Sequence, residues 1–306
     1  MGEPGEPAVI GVDIGGTKIA AGRVTASGAV AARAVRATPR TGGAQAVLAA
    51  VVEMVGELGP AEAVGVGAPG VVDVAGGRVL SATEVLPGWA GAEVGTALRA
   101  ALGVPVAVDN DVRVMALGEL CAGAGRGARD LLFVSVGTGV GGALALDGRI
   151  RHGSAWSAGE LGHLLVPHEG AVPCGCGRRD HLEAAASGPA IVAEYRRRGG
   201  EPVDGLPEVA ARMRAGDAVA AEVIAAAATL VGRAVAGLVD AIGVQRVVVG
   251  GGVASIGAAY VQHVADAFRA EVLPPLRDVP VVAAELGTDA PLVGAAELAR
   301  RREGDR

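Results

Sequence analysis

The sequence predicts an α/β protein of two lobes with a cleft between them, for three reasons. Twice along the chain, in the stretches 9–24 and 131–146, an apolar strand runs into a turn of glycine and threonine and returns as a second strand. Each stretch is followed by alternating strand and helix patterns, which are typical of layered α/β folds. Of the 306 residues, 51% are hydrophobic and 2% aromatic, so a large core of Ala, Val, Leu and Ile is expected.

The first half of the chain begins with three strands and continues with alternating strands and helices. Turns at 15–17 and at Ser27-Gly28 connect the three strands. Thr41 precedes an apolar helical pattern, so we expect it to cap a helix that ends at about residue 58. The predicted strands span 9–13, 19–24, 29–35, 63–67 and 104–108, and the further helices span 92–102 and 112–122.

The second half repeats this arrangement and then becomes mostly helical. Asp147-Gly148 is expected to form a hairpin turn, and proline lies near the start of the last helix. We therefore divide the chain into an N-terminal lobe, 1–111 plus 290–306, and a C-terminal lobe, 112–289. The predicted strands span 131–136, 141–146, 245–249 and 280–284, and the main helices span 218–242 and 291–301.

Composition excludes several kinds of partner. The net charge is −6 and the basic residues are scattered, which disfavours nucleic acid. Every long apolar run is interrupted by charge or glycine, so no membrane span is expected, and the start of the chain lacks the pattern of a secretory signal. Three cysteines form no even framework, which favours a reducing cytoplasm.

Three glycine turns follow apolar strands and are candidates for phosphate binding. Glycine lets backbone N–H groups approach an anion closely, although a single turn of this kind is usually a plain hairpin. Gly137, Gly139 and Gly142 also match the dinucleotide fingerprint, but a strand and hairpin follow where that fingerprint needs a helix. The candidate phosphate-binding residues are Gly15, Gly16, Thr17, Lys18, Gly137, Thr138, Gly139, Gly251 and Gly252.

Two groups of carboxylates lie where strands end. Asp13 closes an apolar strand, where a carboxylate is costly unless it has a partner such as Mg²⁺ on nucleotide phosphates; the alternative is a simple turn cap. Asp109, Asn110 and Asp111 follow the strand at 104–108 and precede a helix. They form either an N-cap cluster or a catalytic site in which Asp111 is the general base and Asn110 fixes the acceptor, and both interpretations can hold together.

A cysteine- and histidine-rich segment predicts a structural zinc site. His163, Cys174, Cys176 and His181 supply two imidazoles and two thiolates, which can close a tetrahedral Zn²⁺ site. The alternative is a loop with two reduced thiols. Glu160 and Glu183 lie close to these residues in the chain, and carboxylates and imidazoles accept hydrogen bonds from sugar hydroxyls, so we expect the metal loop to orient sugar-binding residues.

Taken together, these segments resemble the ROK family of sugar kinases and repressors, and its glucokinases in particular. The resemblance extends over nearly the whole chain. The matching segments are VDIGGTKIAAGRV, VGVGAPGVVD, VDNDV, VSVGTGVGGAL, AGELGH, CGCG with LEAAASG, VVVGGGVA and DAPLVGAA.

The resemblance implies an actin-like, ribonuclease H-like ATPase fold that phosphorylates a hexose with ATP and Mg²⁺. It also implies a homodimer or homotetramer and a structural Zn²⁺ in the C-terminal lobe. Asp111 would be the base, and the phosphate-binding turns would be those named above, together with Asp13. The sugar would be held by Gly67, Asn110, Asp111, Glu160, His163 and Glu183, and the zinc by His163, Cys174, Cys176 and, in place of a family cysteine, His181.

Three departures from the family pattern leave alternatives open. His181 replaces a cysteine, with His168 as a second candidate ligand, and Arg113 replaces an asparagine near the base. Glu84-Val85 stands where many relatives have a sugar-contacting asparagine, so glucose, N-acetylmannosamine, N-acetylglucosamine or another hexose remains open. So do polyphosphate as the donor and a sugar-binding protein without catalysis. A repressor is disfavoured because Asp13 is reached too early for a preceding DNA-binding domain.

Overall fold

A computed structural model describes residues 8–83, 86–167 and 172–304, with the side chains of the last three left out. Contacts divide the chain into two compact units. The first unit contains Met1–Arg126, His152–Ala158 and Glu285–Arg306, and the second contains Gly127–Arg151 and Gly159–Ala284. The lobe boundaries expected from the sequence stay a prediction.

Twelve strands and nine α-helices are numbered in chain order among the described residues. The strands are β1 Val9–Ile14, β2 Lys18–Val24, β3 Val30–Ala37, β4 Ala63–Ala68, β5 Val71–Asp73, β6 Arg78–Ser81, β7 Val106–Asn110, β8 Leu131–Val136, β9 Val140–Leu146, β10 Arg149–Ile150, β11 Arg246–Gly250 and β12 Val281–Ala283. The helices are α1 Gly43–Glu57, α2 Val94–Leu102, α3 Asp111–Ala122, α4 Leu182–Ala186, α5 Gly188–Arg197, α6 Leu206–Arg214, α7 Ala218–Ile242, α8 Ala258–Glu271 and α9 Ala290–Gly304.

The first unit is built on a five-stranded sheet of order β3-β2-β1-β4-β7. The first three strands of the chain pair antiparallel, whereas β1, β4 and β7 run parallel. Helix α9 packs so closely on this sheet that a Cβ at Gly11 would overlap the carbonyl of Leu292, and one at Gly65 the carbonyl of Ala295. These two strand glycines therefore set the distance between sheet and helix.

The second unit repeats the same topology. Its sheet has the order β10-β9-β8-β11-β12, with two antiparallel pairs at one side and parallel β8, β11 and β12 at the other. The structural duplication predicted from the two strand–turn–strand stretches is therefore confirmed. In both sheets the first long strand is six residues long and ends in a glycine turn.

Helix α7 is the central helix of the second unit. By length and composition it could cross a membrane, but a core helix meets the same criteria. Its buried face includes Val223, Ala227, Val231 and Val235, which belong to the hydrophobic core of the unit. Alanine and valine at this helical spacing give the apolar stripe of a core helix.

The described elements match most of the predicted ones, with three local differences. Thr41 does not cap α1: the N-cap is Gly42, whose left-handed φ of 83° requires glycine, and it forms no side-chain cap bond. The expected strand 104–108 begins at Val106 and extends to Asn110, because Asp109 and Asn110 pair with β4. The β5–β6 hairpin was not predicted.

Candidate active site

In the first unit, Asp13 of β1, Gly67 of β4 and Asp109 of β7 lie side by side at one edge of the sheet. The register pairs Asp13 of β1 with Gly67 of β4, and Gly67 in turn with Asp109 of β7. The three strands are parallel, so their carboxyl ends meet at this edge, which is where ligands bind in open α/β sheets. Asp13 and the 109–111 segment, which were predicted separately, therefore lie along one edge.

The turn after β1 is held by a backbone bond to the start of β2 and by a side-chain bond from the residue that follows β3. Gly15 N donates to Lys18 O at 3.0 Å, and the hydroxyl of Thr38, the residue after β3, donates to Gly15 O at 2.6 Å. Gly16 is half-buried, whereas Thr17 and Lys18 are exposed. The turn is thus fixed from one side while its tip faces solvent, as a phosphate-binding turn requires.

Asp13 lies in an environment that disfavours its charged form. Burial raises the pKa of its carboxyl group to about 6, and the nearby Lys18 lowers it only in part. A carboxylate at this position is therefore poised to gain a cationic partner.

Asn110 and Asp111 form the junction between β7 and α3. Asn110 is the N-cap, and its Oδ1 accepts from the backbone N of Arg113 at 3.1 Å. Its Nδ2 donates to Gly70 O at 3.0 Å and to Asp111 Oδ1 at 2.8 Å. The predicted N-cap is therefore present, and the same amide orients the carboxylate that was predicted to be the base.

Gly67 is a buried packing residue. A Cβ at this position would lie 3.4 Å from the Cα of Asp111 and would also meet the side chain of Val114. The lack of a side chain lets the first turn of α3 approach β4 and brings Asp111 close to the edge that carries Asp13. The predicted sugar contact of Gly67 stays untested.

In the second unit, two glycine turns converge at the corresponding edge. Gly137 N donates to Gly139 O at 2.8 Å, and Gly137 O accepts from Gly188 N, at the start of α5, at 2.8 Å. A Cβ on Gly137 would lie 3.7 Å from the backbone N of Gly252. Gly251 has a φ of 91° and passes so close to Val136 that a side chain would overlap that backbone.

Glu183 lies against the second turn. Its Oε2 accepts from Val140 N at 3.0 Å, and a Cβ on Gly139 would overlap the same oxygen. The exposed hydroxyl of Thr138 lies at the tip of this turn. Glu183 was predicted to bind sugar, and the structure adds a bond to the turn that was predicted to bind phosphate.

Glu160 and His163 lie on a short 3-10 segment that packs on β9. His163 N donates to Glu160 O at 3.2 Å, and the 3-10 helix spans Leu161–His163. A Cβ on Gly162 would overlap the carbonyl of Val140, so glycine permits this close approach. Glu160, His163 and Glu183 thus all belong to the part of the second unit around the second turn.

The four predicted zinc ligands lie together. The ligand atoms of His163, Cys174, Cys176 and His181 are all within 4.8 Å of one another. His181 Nδ1 is 3.3 Å from both His163 Nδ1 and Cys176 Sγ. Tetrahedral bonds of about 2.0–2.3 Å to zinc place the ligands roughly 3.3–3.8 Å apart, so these distances fit. His168, the other candidate ligand, lies outside the described residues.

The structure also shows contacts that the sequence analysis did not predict, and one of them involves a residue that it did not name, His152. Asp109 is buried and accepts from His152 Nε2 at 2.7 Å. Arg113, expected near the base, is buried with its Nη1 3.5 Å from Asp109 Oδ1. No local sequence pattern predicts the contact between His152 and Asp109, because the two residues are 43 positions apart.

A cavity of about 290 Å³ lies in the second unit, and some of the residues that line it follow the Gly251-Gly252 turn along the chain. Met213, Ile224, Ile256, Tyr260 and His263 contribute to its mostly apolar lining. The hydroxyl of Tyr260 is buried without a hydrogen-bond partner among the described residues, and burial raises the pKa of this phenol. The cavity can therefore take an apolar group.

Comparisons with known proteins identify the family. The ROK family model matches residues 9–302. A glucokinase of Halalkalibacterium halodurans is 31% identical, with 96% of this chain and 95% of the relative covered. An N-acetylmannosamine kinase of Yersinia pseudotuberculosis is 35% identical, with 95% and 98% covered.

A solved structure extends the likeness to the fold. The crystal structure of a ROK family glucokinase from Streptomyces griseus, in complex with glucose and AMPPNP, matches with a TM-score of 0.84 at 34% identity and covers 96% of this chain and 99% of that one. The predicted α/β, actin-like ATPase fold is thereby confirmed. With nearly its whole length matched by the family model, this chain belongs to the ROK family.

Proposed function

We propose that this protein is a sugar kinase that transfers the terminal phosphoryl group of ATP to a hydroxyl group of a hexose. Glucose is the substrate we propose first. The observation that carries the proposal is the edge of the first sheet, where Asp13, Gly67 and Asp109 are in register and Asp111 follows directly. A carboxylate for a metal–phosphate group and a carboxylate for proton transfer then belong to one edge, as phosphoryl transfer to an alcohol requires. The glucokinase relatives support the reaction and the substrate.

Asp111 is the proposed general base. The Asn110 amide donates to Asp111 Oδ1 at 2.8 Å and the backbone N of Val112 donates to the same oxygen at 2.9 Å, so the carboxylate is oriented before substrate binds. The deprotonated carboxylate is the form that accepts the proton of the sugar hydroxyl. Asn110, Glu160, His163 and Glu183 are the proposed sugar-binding residues.

Asp13 is the proposed partner of Mg²⁺. Its carboxyl group has a pKa raised to about 6 by burial, so a bound cation would compensate the cost of the charged form. Mg²⁺ bound there would neutralise the charge on the nucleotide phosphates. The exposed tip of the first turn, at Thr17 and Lys18, and the turns at Gly137 and Gly251 supply further groups for these phosphates.

The cavity beside Tyr260 is the proposed site for the adenine base. It is mostly apolar, and it is lined by Ile256 and Gly257, which follow the Gly251-Gly252 turn in the chain. A planar base would fill its apolar part. The AMPPNP complex of the Streptomyces griseus relative supports a nucleotide donor.

Zinc is proposed as a structural ion. The four ligand atoms lie within 4.8 Å of one another, two of the separations are 3.3 Å, as in a tetrahedral site, and Cys174 and His181 are buried. Bound zinc would fix the segment that joins His163 to His181. It would thereby restrain the position of Glu183, which follows His181 by two residues. In the protein without metal, burial raises the pKa of the Cys174 thiol.

A second candidate function is phosphorylation of N-acetylmannosamine or another N-acetylhexosamine. It is favoured by the 35% identity to the N-acetylmannosamine kinase. Glu84-Val85, which stands where many relatives have a sugar-contacting asparagine, lies outside the described residues.

A sugar panel with purified protein tests the proposal. We expect the highest kcat/KM for glucose with ATP, measured by a coupled assay against mannose, N-acetylmannosamine and N-acetylglucosamine. Preference for an acetamido sugar would favour the second candidate, and turnover with polyphosphate alone would change the donor. Sugar binding by calorimetry without turnover on any member of the panel would refute the kinase and support a binding protein.

Metal analysis tests the zinc site. We expect about one zinc per chain in the wild type and in His181→Cys, and loss of zinc in Cys176→Ala. Cys121→Ala is the matched control, because Cys121 lies in α3 of the first unit. Retention of zinc and activity by Cys176→Ala would contradict the proposed ion. We also propose that the protein is cytoplasmic and forms a homodimer or homotetramer. Measurement of its molecular mass in solution tests the oligomeric state.

A further inference from the structure

Beneath the proposed base lies a buried polar group that no part of the proposed reaction uses. The side chains of Arg113 and Asp109 are 1% and 3% exposed. Asp109 Oδ2 is 2.7 Å from His152 Nε2, and its Oδ1 accepts from Asn110 N at 2.7 Å. Burial of charged side chains is costly, so their partners must be specific and well placed.

The Arg113 guanidinium also binds a distant part of the first unit. Its Nη2 donates to the carbonyl of Trp156 at 2.6 Å and to that of Ala158 at 3.1 Å. Within the same segment, Ala158 N donates to His152 O at 3.0 Å. The His152 ring packs edge-on against the Trp156 ring, with 5.8 Å between the ring centroids. One planar guanidinium therefore fixes the segment 152–158 through two of its carbonyls.

Trp156 is held in an unusual backbone conformation. Its φ is 58°, in the left-handed region that disfavours bulky side chains. The other described non-glycine residues with positive φ are Asp147 and Asp180, and aspartate tolerates this region. A tryptophan there persists only where its surroundings impose the conformation, and the bond from Arg113 to its carbonyl is one such constraint.

The same residues hold the junction that carries the base. Asp109 binds the backbone N of Asn110, and Asn110 in turn accepts from the backbone N of Arg113. The segment 152–158 continues directly into Glu160, a proposed sugar-binding residue. Arg113 thus connects the helix start at Asp111 to the segment that leads to Glu160.

We propose that Arg113, Asp109 and His152 are positioning residues, which fix the segment 152–158 to the start of α3 and so set the geometry of sugar binding and proton transfer. This inference rests on the proposed function. Lysine at 113 would keep the charge but lacks the planar fork that donates to two carbonyls and faces Asp109. None of the three needs to touch the substrate for this role.

Trp156 provides a readout that does not depend on activity. The protein has two tryptophans, and Trp89 is 1% exposed, whereas Trp156 is half-buried. Acrylamide quenching of fluorescence will therefore report mainly Trp156, and Trp156→Phe will assign the signal. Release of the segment should raise the quenching constant about twofold or more.

The test compares Arg113→Lys and His152→Ala with His152→Gln, in which the amide can still donate to Asp109. We expect Arg113→Lys and His152→Ala to raise Trp156 quenching, lower kcat at least tenfold and raise the sugar KM, with the ATP KM within twofold of wild type. His152→Gln should recover most of both effects. Arg269→Lys is the matched control, because Arg269 is exposed on α8 in the second unit and lies outside the cavity lining.

The outcomes separate the two hypotheses. Raised quenching with unchanged kinetics, or unchanged quenching in both disruptive variants, would overturn the positioning role while the proposed function stands. An ATP KM that rises as much as the sugar KM would also overturn it, because general loosening would then explain the loss. A wild-type protein that phosphorylates no sugar would refute the proposed function, and the positioning role with it.

Discussion

The two strand–turn–strand stretches have the same topology but differ in where their carboxylate comes from. In the first, Asp13 is the fifth residue of the six-residue strand β1. In the second, the corresponding residue of β8 is Ser135, and the carboxylate that meets the turn is Glu183, supplied by α4. A duplicated scaffold therefore carries two different electrostatic arrangements.

The difference indicates a division of work between the two sheets. A carboxylate fixed by its own strand beside Asn110 and Asp111 suits a cation and proton transfer. A carboxylate that reaches the turn from a helix binds a backbone N–H, Val140 N, and so shapes the turn itself. Under the proposed function, the chemistry belongs to the first sheet edge, whereas the second turn is held by a contact from Glu183.

The largest effect is expected at the base. Asp111→Asn should lower kcat about a hundredfold to ten-thousandfold, since the amide cannot accept the hydroxyl proton while it still fits the start of α3. Steady-state kinetics with saturating ATP check this, with Asp266→Asn on α8 as the exposed control. Retention of a tenth or more of wild-type kcat would contradict the assignment of the chemistry to the first sheet edge.

Paired substitutions at the equivalent positions would sharpen the contrast between the two turns. Asp13→Asn should lower kcat/KM about a hundredfold, because loss of the cation partner removes several kcal/mol of charge stabilisation. Ser135→Ala should stay within about threefold of wild type. Equal losses in both variants would mean that the two turns contribute alike, against the division proposed above.

Asp13→Asn, which should lower activity, should increase the stability of the protein. The pKa of Asp13 in the folded protein, about 6, lies above the ordinary aspartate value of 3.8, so the contribution of this group to stability is fully present below about pH 4 and is lost as pH rises through 6. Without metal and nucleotide at pH 7.5, Asp13→Asn should therefore raise the free energy of unfolding by up to about 3 kcal/mol.

Urea denaturation at pH 4.5 and pH 7.5 measures this difference. The gain of Asp13→Asn over wild type should be much smaller at pH 4.5, where the wild-type carboxyl group is largely protonated. A gain of equal size at both pH values would indicate a packing effect of the amide and not the burial of charge.

The smallest effect is expected at Glu183. Glu183→Ala leaves Val140 N without its partner, which should cost about 1 kcal/mol of stability, and should raise the sugar KM about tenfold. Glu183→Gln keeps an acceptor oxygen, so it should retain stability and lose less affinity. If both variants lose sugar affinity equally with no change in stability, the carboxylate serves sugar alone and not the turn.

Local patterns were sufficient to predict much of the candidate site. Asn110 and Asp111 were recognisable because a strand pattern gives way to a helix pattern at that point, and the cap is a local bond. Cys174, Cys176 and His181 lie within eight residues of sequence, so their spacing already suggested a shared ion. The prediction that Thr41 caps α1 was wrong, because the N-cap is Gly42, which has a left-handed backbone and forms no side-chain bond.

By itself, the sequence determined the two strand–turn–strand motifs, the glycine turns and the acidic residues at strand ends, because strand periodicity and glycine geometry act over a few residues. Only the tertiary structure decided that Arg113 binds the carbonyls of Trp156 and Ala158, and that Glu183 caps the second turn. These contacts join residues about 43 positions apart, and such partners are chosen by how sheets and helices pack, which no local pattern encodes.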